Sequence, residues 1–146
     1  MQTVKVKKLN EKAVIPTYGS AFAAGADLYA CCNGEISINP GETVLIKTGI
    51  AMEIPVGFVG LVYARSGIAT KRGLAPANKV GVIDADYRGE IMVSLHNHSN
   101  EVQSIAEGER IAQLVIAPYL TADFVETDNL EETVRGAGGF GSTGKK

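Results

Sequence analysis

The chain has no tryptophan, only two cysteines and few aromatic residues, which make up 6% of its 146 positions. Cys31 and Cys32 are adjacent. Neighbouring cysteines are poorly placed to form a stabilising disulfide bond with each other, and no Cys–His spacing typical of a zinc site accompanies them. The pair therefore favours two reduced thiols in a cytoplasmic protein over a disulfide framework or a zinc module.

Strong charge of one sign and long apolar runs are also missing. The formal net charge is −2, which argues against a general nucleic-acid or membrane-surface binder. No apolar run reaches the ~18 residues of a membrane span, and the amino-terminal residues lack the apolar core of a signal peptide. We expect no nucleic-acid or membrane partner, so any phosphate site must be a local basic cluster.

Short apolar alternations punctuated by glycine and proline are present instead. They predict strands over residues 4–9, 35–38, 43–46, 50–54, 58–63, 80–83, 90–95 and 111–116. The one helical signal is a short turn or two after Ser66, which Gly73 would close as a C-terminal cap. The length predicts one domain, and the many short strands predict an all-β sandwich, jelly roll or barrel.

The carboxyl-terminal segment over residues 135–144 reads Arg-Gly-Ala-Gly-Gly-Phe-Gly-Ser-Thr-Gly. Such a segment cannot form a core, because glycine makes it expensive to order. It offers a flat ring, hydroxyls, bare backbone N–H groups and a guanidinium, which suit a nucleotide. Its partial matches to G-x-G-x-x-G and the P-loop are accidental, since both motifs need a following helix. We expect a nucleotide lid or a solvated terminus.

The segment over residues 81–90 reads Gly-Val-Ile-Asp-Ala-Asp-Tyr-Arg-Gly-Glu. An apolar strand runs into Asp84, Asp86 and Tyr87, and Gly89 turns the chain into another apolar strand. This pattern predicts a β-hairpin whose tip carries a general base and an aromatic ring. In an extended chain both carboxylates would lie on one side, where they would bind a cation or raise one pKa. A polar tip without chemistry explains the same residues.

Two further segments place polar groups beside small residues. Arg65-Ser66-Gly67 follows a strand, so Ser66 would cap the predicted helix, and the free N–H groups with Arg65 would hold an anion. An ordinary cap with a surface arginine is the alternative. Asp27, between small and apolar neighbours, either forms a turn or is held for the water shell of a metal.

Three polar residues lie within predicted strands or next to them. Gln113, in an otherwise apolar strand, either faces solvent or makes a specific contact. His96 and His98 have the spacing of one strand face, but no third ligand accompanies them. The pair therefore favours surface or hydrogen-bonded histidines over a metal site.

Taken together in this order, these segments resemble the five motifs of the trimeric dUTP pyrophosphatase (dUTPase) family. The resemblance covers residues 24–144 and is strongest over 81–89 and 135–144. One departure is Ala64, where many members carry proline before Arg-Ser-Gly. It leaves Arg65 and Ser66 in place and affects only the geometry of the turn.

The resemblance implies a β jelly roll, or distorted barrel, over residues 1–134, and a flexible arm over 135–146 that closes over an active site. It implies a homotrimer with active sites shared between subunits. The reaction it implies is Mg²⁺-dependent hydrolysis of dUTP to dUMP and pyrophosphate, which limits uracil in DNA and supplies dUMP for thymidylate synthesis.

The resemblance also assigns roles to residues. Asp84 is the general base that activates water for in-line attack on the α-phosphorus. Asp27 helps to order either the waters of the magnesium ion or the nearby phosphate site. Asn78 and the backbone over 78–84 read the uracil, while Tyr87 stacks under the deoxyribose. The full set of implied substrate contacts is Arg65, Ser66, Gly67, Asn78, Gly81, Ile83, Tyr87, Gln113, Arg135, Phe140, Gly141, Ser142 and Thr143. Of these, Phe140 covers the uracil, and Arg135, Ser142 and Thr143 bind the outer phosphates.

Two alternatives to this enzyme remain. A deaminase of dCTP on the same fold would need a different base-reading arm and a glutamate placed to activate water at the pyrimidine. A non-catalytic nucleotide sensor would not need Asp84. Release of pyrophosphate from dUTP, dCTP or UTP separates the three hypotheses.

Overall fold

The structure, a computed structural model, describes residues 2–140 of the chain. These residues form twelve strands and one helix. The strands are β1 (Lys5–Lys8), β2 (Thr17–Tyr18), β3 (Ala26–Tyr29), β4 (Ile36–Ile38), β5 (Thr43–Lys47), β6 (Ile50–Glu53), β7 (Phe58–Tyr63), β8 (Leu74–Pro76), β9 (Gly81–Ile83), β10 (Met92–Asn97), β11 (Gln103–Ile105) and β12 (Arg110–Pro118). The helix, α1, spans Ser66–Arg72. The predicted all-β class with one short helix is confirmed.

The strands assemble into four antiparallel sheets. The largest has the order β2-β3-β12-β7-β9, and a three-stranded sheet has the order β5-β10-β8. Two-stranded sheets pair β1 with β6 and β4 with β11. Over residues 2–140 none of these sheets closes into a barrel, so the barrel among the predicted architectures is not observed.

Each of the eight predicted strand segments contains a strand whose ends lie within two residues of the prediction. Four strands were missed, namely β2, β3, β8 and β11. They are two to four residues long, and so short a segment carries only a weak periodic signal. β3, for example, is buried between β2 and β12, so long-range pairing rather than local sequence makes it a strand.

The predicted β-hairpin over residues 81–95 is wrong. β9 pairs with β7, whereas β10 pairs with β5 and β8 in another sheet. We call the connection, residues 84–89, the crossover turn. In the first part of this turn, the Tyr87 N–H donates a hydrogen bond of 3.1 Å to the Asp84 carbonyl. Alternation fixes which face of a strand is buried but does not specify the partner strand.

The core lies between the sheets. All four sheets contribute to it, and its fully buried members include Leu28, Ile38, Ile46, Ile50, Leu95, Ile105 and Ile111. Burial of one such side chain contributes roughly 1.5–3 kcal/mol. Gly60 in β7 has no side chain, and a Cβ there would lie 2.8 Å from Ile54 Cδ1 and 3.2 Å from Ile83 Cβ. This gap lets β9, which leads to Asp84, pack tightly on β7.

The start of the helix differs from the prediction, whereas its end agrees with it. Arg65 occupies the N-cap, and no side-chain hydrogen bond caps the helix, so the prediction that Ser66 caps it is wrong. Gly73 closes the helix as predicted, with φ of 66° and its N–H donating to the Ala69 carbonyl at 3.1 Å. Across residues 2–140 no helix has the length and apolarity that crossing a membrane requires.

Candidate active site

The first candidate region is a groove between β9 and β10, which we call the β9 groove. Its volume is about 300 Å³. It brings together the predicted site residues Asn78, Gly81, Ile83, Asp84 and Tyr87. The rest of its lining is mostly aliphatic and comes from β5, β7, β8, β10 and the residues before β10.

The chain before β9 folds back sharply beside this groove. Lys79 adopts φ of 66°, and its N–H donates to the Pro76 carbonyl at 3.0 Å. A Cβ at Gly81 would lie 3.2 Å from Val62 Cβ and 3.4 Å from Asn78 Nδ2. The missing side chain at Gly81 therefore leaves room for the Asn78 amide beside the strand.

Tyr87 is fixed over the crossover turn by two features. Its hydroxyl donates a 3.0 Å hydrogen bond to the Glu90 carbonyl. A Cβ at Gly89 would lie 2.3 Å from the Tyr87 hydroxyl oxygen, so the ring occupies space that only glycine leaves open. The ring is still 43% exposed, which makes one of its surfaces available to a ligand.

Asp84 is exposed and borders the β9 groove. It also borders a second hollow, lined in part by Val59, Leu61 and Tyr119. Asp86 contributes to that hollow but not to the β9 groove. Because the crossover turn is not extended, the two carboxylates do not act as an equivalent pair, and Asp84 is the carboxylate of the groove.

The second candidate region is a smaller cleft of about 230 Å³, which we call the Asp27 cleft. It brings together the predicted residues Asp27, Arg65, Ser66, Gly67 and Gln113. Its remaining lining residues are Gly19, Ala23, Gly25 and Arg110. Arg110 was not among the predicted site residues, although it lies three positions before Gln113.

Asp27 lies within β3 and holds two arginines. Its Oδ1 accepts a 2.7 Å hydrogen bond from Arg65 Nε, and its Oδ2 accepts one of 3.2 Å from Arg110 Nη1. Asp27 is only 8% exposed, and a buried carboxylate needs such partners. Each oxygen keeps a second lone pair, so Asp27 can also accept a hydrogen bond from a metal-bound water.

Gln113 makes a specific contact rather than facing solvent. Its Nε2 donates to the Ala64 carbonyl at 2.8 Å, next to Arg65. A Cβ at Gly25 would lie 2.4 Å from Gln113 Oε1. As with Gly89 and Tyr87, a glycine leaves the space that the neighbouring side chain occupies.

Within residues 2–140 the two regions share no lining residue. The described part of the tail joins neither region. Arg135 Nε donates to the Gly138 carbonyl at 2.8 Å, and the Phe140 ring is fully exposed. Gly141, Ser142 and Thr143 lie outside the described residues.

His96 and His98 form an edge-to-face pair with ring centroids 4.4 Å apart. His96 Nδ1 lies 2.8 Å from the Thr43 hydroxyl. Loss of some hydration, followed by the charges of the neighbouring His96 and Lys79, lowers the pKa of His98, although this residue is exposed. The part of the chain that the structure describes contains no cluster of three potential His, Cys, Asp or Glu metal ligands.

An all-β scaffold thus carries a carboxylate and an aromatic ring on one groove and a buried aspartate with two arginines in another. These features define a protein suited to a phosphorylated ligand that bears a ring. A family model described as dUTPase matches residues 11–144. The chain therefore belongs to the dUTPase family.

Curated relatives agree with this family over nearly the whole chain. The chain is 50% identical over 142 residues to a deoxyuridine 5′-triphosphate nucleotidohydrolase of Syntrophotalea carbinolica, covering 97% of both chains. It is 52% identical over 142 residues to one of Nautilia profundicola, covering 97% of this chain and 99% of the relative.

Solved structures show the same fold. A dUTPase variant of Staphylococcus bacteriophage 80alpha, determined with dUpNHpp, superposes with a TM-score of 0.87 at 31% identity and 99% coverage of both chains. A dUTPase variant from phage phi11 of S. aureus, described for its coordination of a structural Mg(II) ion, gives a TM-score of 0.78 at 29% identity, with 90% of this chain and 100% of that chain covered.

Proposed function

We propose that this protein hydrolyses dUTP to dUMP and pyrophosphate, which limits uracil in DNA and supplies dUMP. The observation that carries the proposal is the β9 groove, where Asp84, Tyr87 and Asn78 meet on one surface. Family membership over residues 11–144 supports it. So do relatives named for this activity and a phage enzyme determined with dUpNHpp.

The β9 groove would take the deoxyuridine. Asn78 and the backbone over residues 78–84 offer amide donors and acceptors for the uracil edge, with Gly81 and Ile83 in the same wall. Tyr87, held by Glu90 and by the space over Gly89, would lie against the deoxyribose. A ring fixed in this way rejects a 2′-hydroxyl by collision, which a merely apolar pocket does weakly.

The Asp27 cleft would take phosphates. Arg65 supplies a guanidinium, which suits phosphate oxygens through parallel N–H bonds. Ser66 and Gly67 add backbone N–H groups, and Gln113 adds a side-chain amide beside them. Donors fixed before the substrate arrives stabilise charge on the leaving pyrophosphate with little reorganisation.

Asp84 would act as the general base. Its carboxylate is exposed on the β9 groove, so it can reach a water placed beside the α-phosphorus. Removing a proton from that water in the transition state typically contributes ~10²–10⁴-fold in rate. Attack in line with the leaving pyrophosphate completes the hydrolysis.

The residues present fit a magnesium ion held mainly by substrate phosphates. Mg²⁺ keeps several waters and needs few carboxylates, and Asp27 retains acceptor capacity for such a water beyond its two arginine bonds. When bound, Mg²⁺ would supply positive charge that neutralises the phosphates. Asp27 would then hold the ion indirectly, by accepting a hydrogen bond from its water.

We also propose a homotrimer with shared active sites. The groove and the cleft share no lining residue, so a groove from one subunit facing a cleft from another would give one substrate both. The arm over residues 135–146 would close over a neighbouring site, with Phe140 on the uracil, Arg135, Ser142 and Thr143 on the outer phosphates, and Gly141 as a further substrate contact. Sedimentation showing a stable monomer that turns over dUTP normally would contradict this arrangement.

The decisive experiment measures pyrophosphate release from dUTP, dCTP and UTP with Mg²⁺, for the unaltered chain and for Asp84→Asn. We expect release selective for dUTP, and a fall of ~10²–10⁴-fold in kcat for Asp84→Asn. Asp86→Asn is the matched control, because Asp86 does not border the β9 groove.

Binding of dUpNHpp should persist in Asp84→Asn, since the substitution removes the base and keeps the shape. Release of pyrophosphate at the unaltered rate would remove Asp84 from the mechanism. Tight dUTP binding without any release by the unaltered chain would favour a nucleotide sensor instead.

A further inference from the structure

The helix α1 has one face with two arginines and an isoleucine. Arg65 at the N-cap, Ile68 and Arg72 follow the spacing i, i+3, i+7, which places side chains on one face of a helix. Among the residues of α1, all of which the structure describes, Ile68 is the only buried one. A helix of 7 residues is too short to be stable alone, so α1 depends on the polar contacts at its two ends.

At each end of α1 an arginine binds an acidic residue of the β3–β12 pair or of the turn before it. Arg65 Nε donates to Asp27 Oδ1 in β3 at 2.7 Å. Arg72 Nη1 donates to Oε1 of Glu109, which directly precedes β12. Because β3 and β12 pair with each other, the helix is fixed at both ends against the same two strands.

Arg72 makes more bonds than the contact with Glu109. Its Nε donates to Gln103 Oε1 at 3.1 Å, and its Nη2 donates to the Ser104 carbonyl. The Arg72 side chain is 29% exposed, and that of Glu109 is 26% exposed. A guanidinium presents its donors in a rigid planar fork, so these partners fix both the position and the direction of the end of α1.

Glu109 joins this restraint to the strand that carries Asp27. Its Oε2 accepts a 3.0 Å hydrogen bond from the Ala106 N–H. Its backbone carbonyl accepts one of 2.8 Å from the N–H of Ala30, which directly follows β3. The bond from Arg72 therefore ends on a turn that is itself bound to β3.

The strand β12 is irregular immediately after Glu109. Between Arg110 and Ala112 its pairing with β3 shifts register, which marks a β-bulge. The bulge turns Arg110 toward Asp27, whose Oδ2 accepts a 3.2 Å hydrogen bond from Arg110 Nη1. Because a bulge locally disrupts the ladder of backbone bonds, the bond from Arg72 to Glu109 restrains this end of β12 where the ladder is weak.

We propose that Arg72 is a positioning residue for phosphate binding. Through its bond to Glu109 it holds α1 so that the start of the helix presents Arg65, Ser66 and Gly67 to the Asp27 cleft. Within residues 2–140 neither Arg72 nor Glu109 lines the β9 groove or the Asp27 cleft, so the pair acts without touching the substrate. The inference rests on the proposed function, which makes that cleft the phosphate site of a nucleotide.

The test compares Arg72→Gln with the unaltered chain in calorimetric titrations with inorganic pyrophosphate, dUpNHpp and dUMP at one fixed Mg²⁺ concentration. We expect Arg72→Gln to weaken binding of pyrophosphate and dUpNHpp by about threefold to tenfold, because the substitution loosens α1 and leaves the phosphate donors in the chain. Binding of dUMP, which lacks the outer phosphates, should weaken by less than about twofold.

Lys71→Gln is the matched control. Lys71 and Arg72 are both cations in the last turn of α1, so both interact with the helix dipole in the same sense. Lys71 is exposed, and its loss should leave all three affinities unchanged. Equal weakening by Lys71→Gln and Arg72→Gln would show that charge at the helix end is responsible, which would overturn the inference.

A double-mutant cycle separates positioning through Glu109 from a general loss of structure. Arg72→Gln and Glu109→Gln should each weaken pyrophosphate binding, and the double variant should bind it no more weakly than the weaker single variant. Losses that multiply, or equal weakening of dUMP, would contradict the proposal. If Arg72→Gln does not fold, Glu109→Gln and Arg72→Lys, which keeps the charge without the forked donors, must show the same selective loss.

The outcomes for Arg72 and for the proposed reaction can be told apart. Binding of pyrophosphate needs no turnover, so selective loss in a chain that released no pyrophosphate from dUTP would support Arg72 while refuting the reaction. Undiminished pyrophosphate binding by Arg72→Gln, in a protein that hydrolyses dUTP, would refute the role of Arg72 and leave the reaction standing. Absence of pyrophosphate binding to the unaltered chain would also overturn the inference.

Discussion

The β9 groove and the Asp27 cleft are organised by different physical means. The groove is walled by strand backbone, aliphatic side chains and one ring, with Asp84 at its edge. The cleft is organised by charge, since one buried carboxylate holds two guanidinium groups. Shape can tell similar nucleosides apart, whereas positioned charge is suited to phosphates, which are strongly charged and chemically alike.

In both regions, nevertheless, a glycine leaves the space that a positioned side chain occupies. Tyr87 occupies the space above Gly89, and Gln113 occupies the space above Gly25. In each case the ligand-facing group is supported by a residue that lacks a Cβ and by a hydrogen bond to a backbone carbonyl. Because each region relies on its own glycine and its own hydrogen bond, substitutions that disturb one region should leave the other intact.

The largest effect among these tests is expected for Asp27→Asn. The amide keeps one acceptor oxygen, so it loses one of the two hydrogen bonds from the arginines and the negative charge that strengthens the other. A hydrogen bond to a charged group contributes about 1.5–3 kcal/mol. We therefore expect a lower free energy of unfolding by about 2 kcal/mol, because the arginines are partly exposed and recover some hydration. KM for dUTP should rise as well.

Thermal unfolding and steady-state kinetics check this prediction. Glu35→Gln is the control, since it removes an equally negative but exposed carboxylate away from both regions. Equal stability of Asp27→Asn and Glu35→Gln would show that the cleft is not organised by Asp27.

A smaller and more selective effect is expected for Tyr87→Ala. Removing the ring removes the collision with a 2′-hydroxyl, so the preference for dUTP over UTP in kcat/KM should fall by about tenfold or more, equivalent to about 1.4 kcal/mol. Tyr87→Phe keeps the ring and loses only the bond to the Glu90 carbonyl, so it should retain most of the preference. An unchanged preference in Tyr87→Ala would contradict the sugar-selection role.

The variants Gly89→Ala and Gly25→Ala test most directly whether the β9 groove and the Asp27 cleft act separately. The added methyl group would lie 2.3 Å from the Tyr87 hydroxyl oxygen in the first and 2.4 Å from Gln113 Oε1 in the second. Both obstructing atoms are ends of side chains that can move, so we expect effects of only a few-fold.

These two variants serve as controls for each other. Gly89→Ala should lower the preference for dUTP over UTP and leave inhibition by pyrophosphate unchanged. Gly25→Ala should weaken that inhibition and leave the preference unchanged. Identical profiles for the two variants would show that the regions do not act separately.

The smallest effect concerns His98, which lies outside both regions. Its pKa is lowered from 6.5 by loss of some hydration and by the charges of His96 and Lys79, so the unfolded chain binds a proton more readily than the folded one. Stability from this group is therefore complete above about pH 6.5 and is lost as the pH falls through the folded pKa. Thermal unfolding of His98→Asn should show a weaker decline at acid pH, while a steeper decline would reverse the sign.

The extent to which the site follows from sequence differs between the two regions. The predicted site residues of the β9 groove lie within ten positions of one another, from Asn78 to Tyr87, so a local pattern reveals them. Even there the predicted hairpin was wrong, because β9 and β10 join different sheets. The Asp27 cleft combines residues from distant parts of the chain, and its Arg110 was missed.

The sequence by itself determined the strand positions, the C-terminal cap at Gly73 and most residues of both regions. It could do so because alternation, turn chemistry and motif residues are local properties. Only the tertiary structure decided which strands pair, that a bulge turns Arg110 toward Asp27, and that the groove and the cleft are separate surfaces of one subunit. Those outcomes depend on contacts between residues far apart in the chain, such as Asp27 and Arg110, which are 83 positions apart, and such contacts leave no periodic trace in the chain.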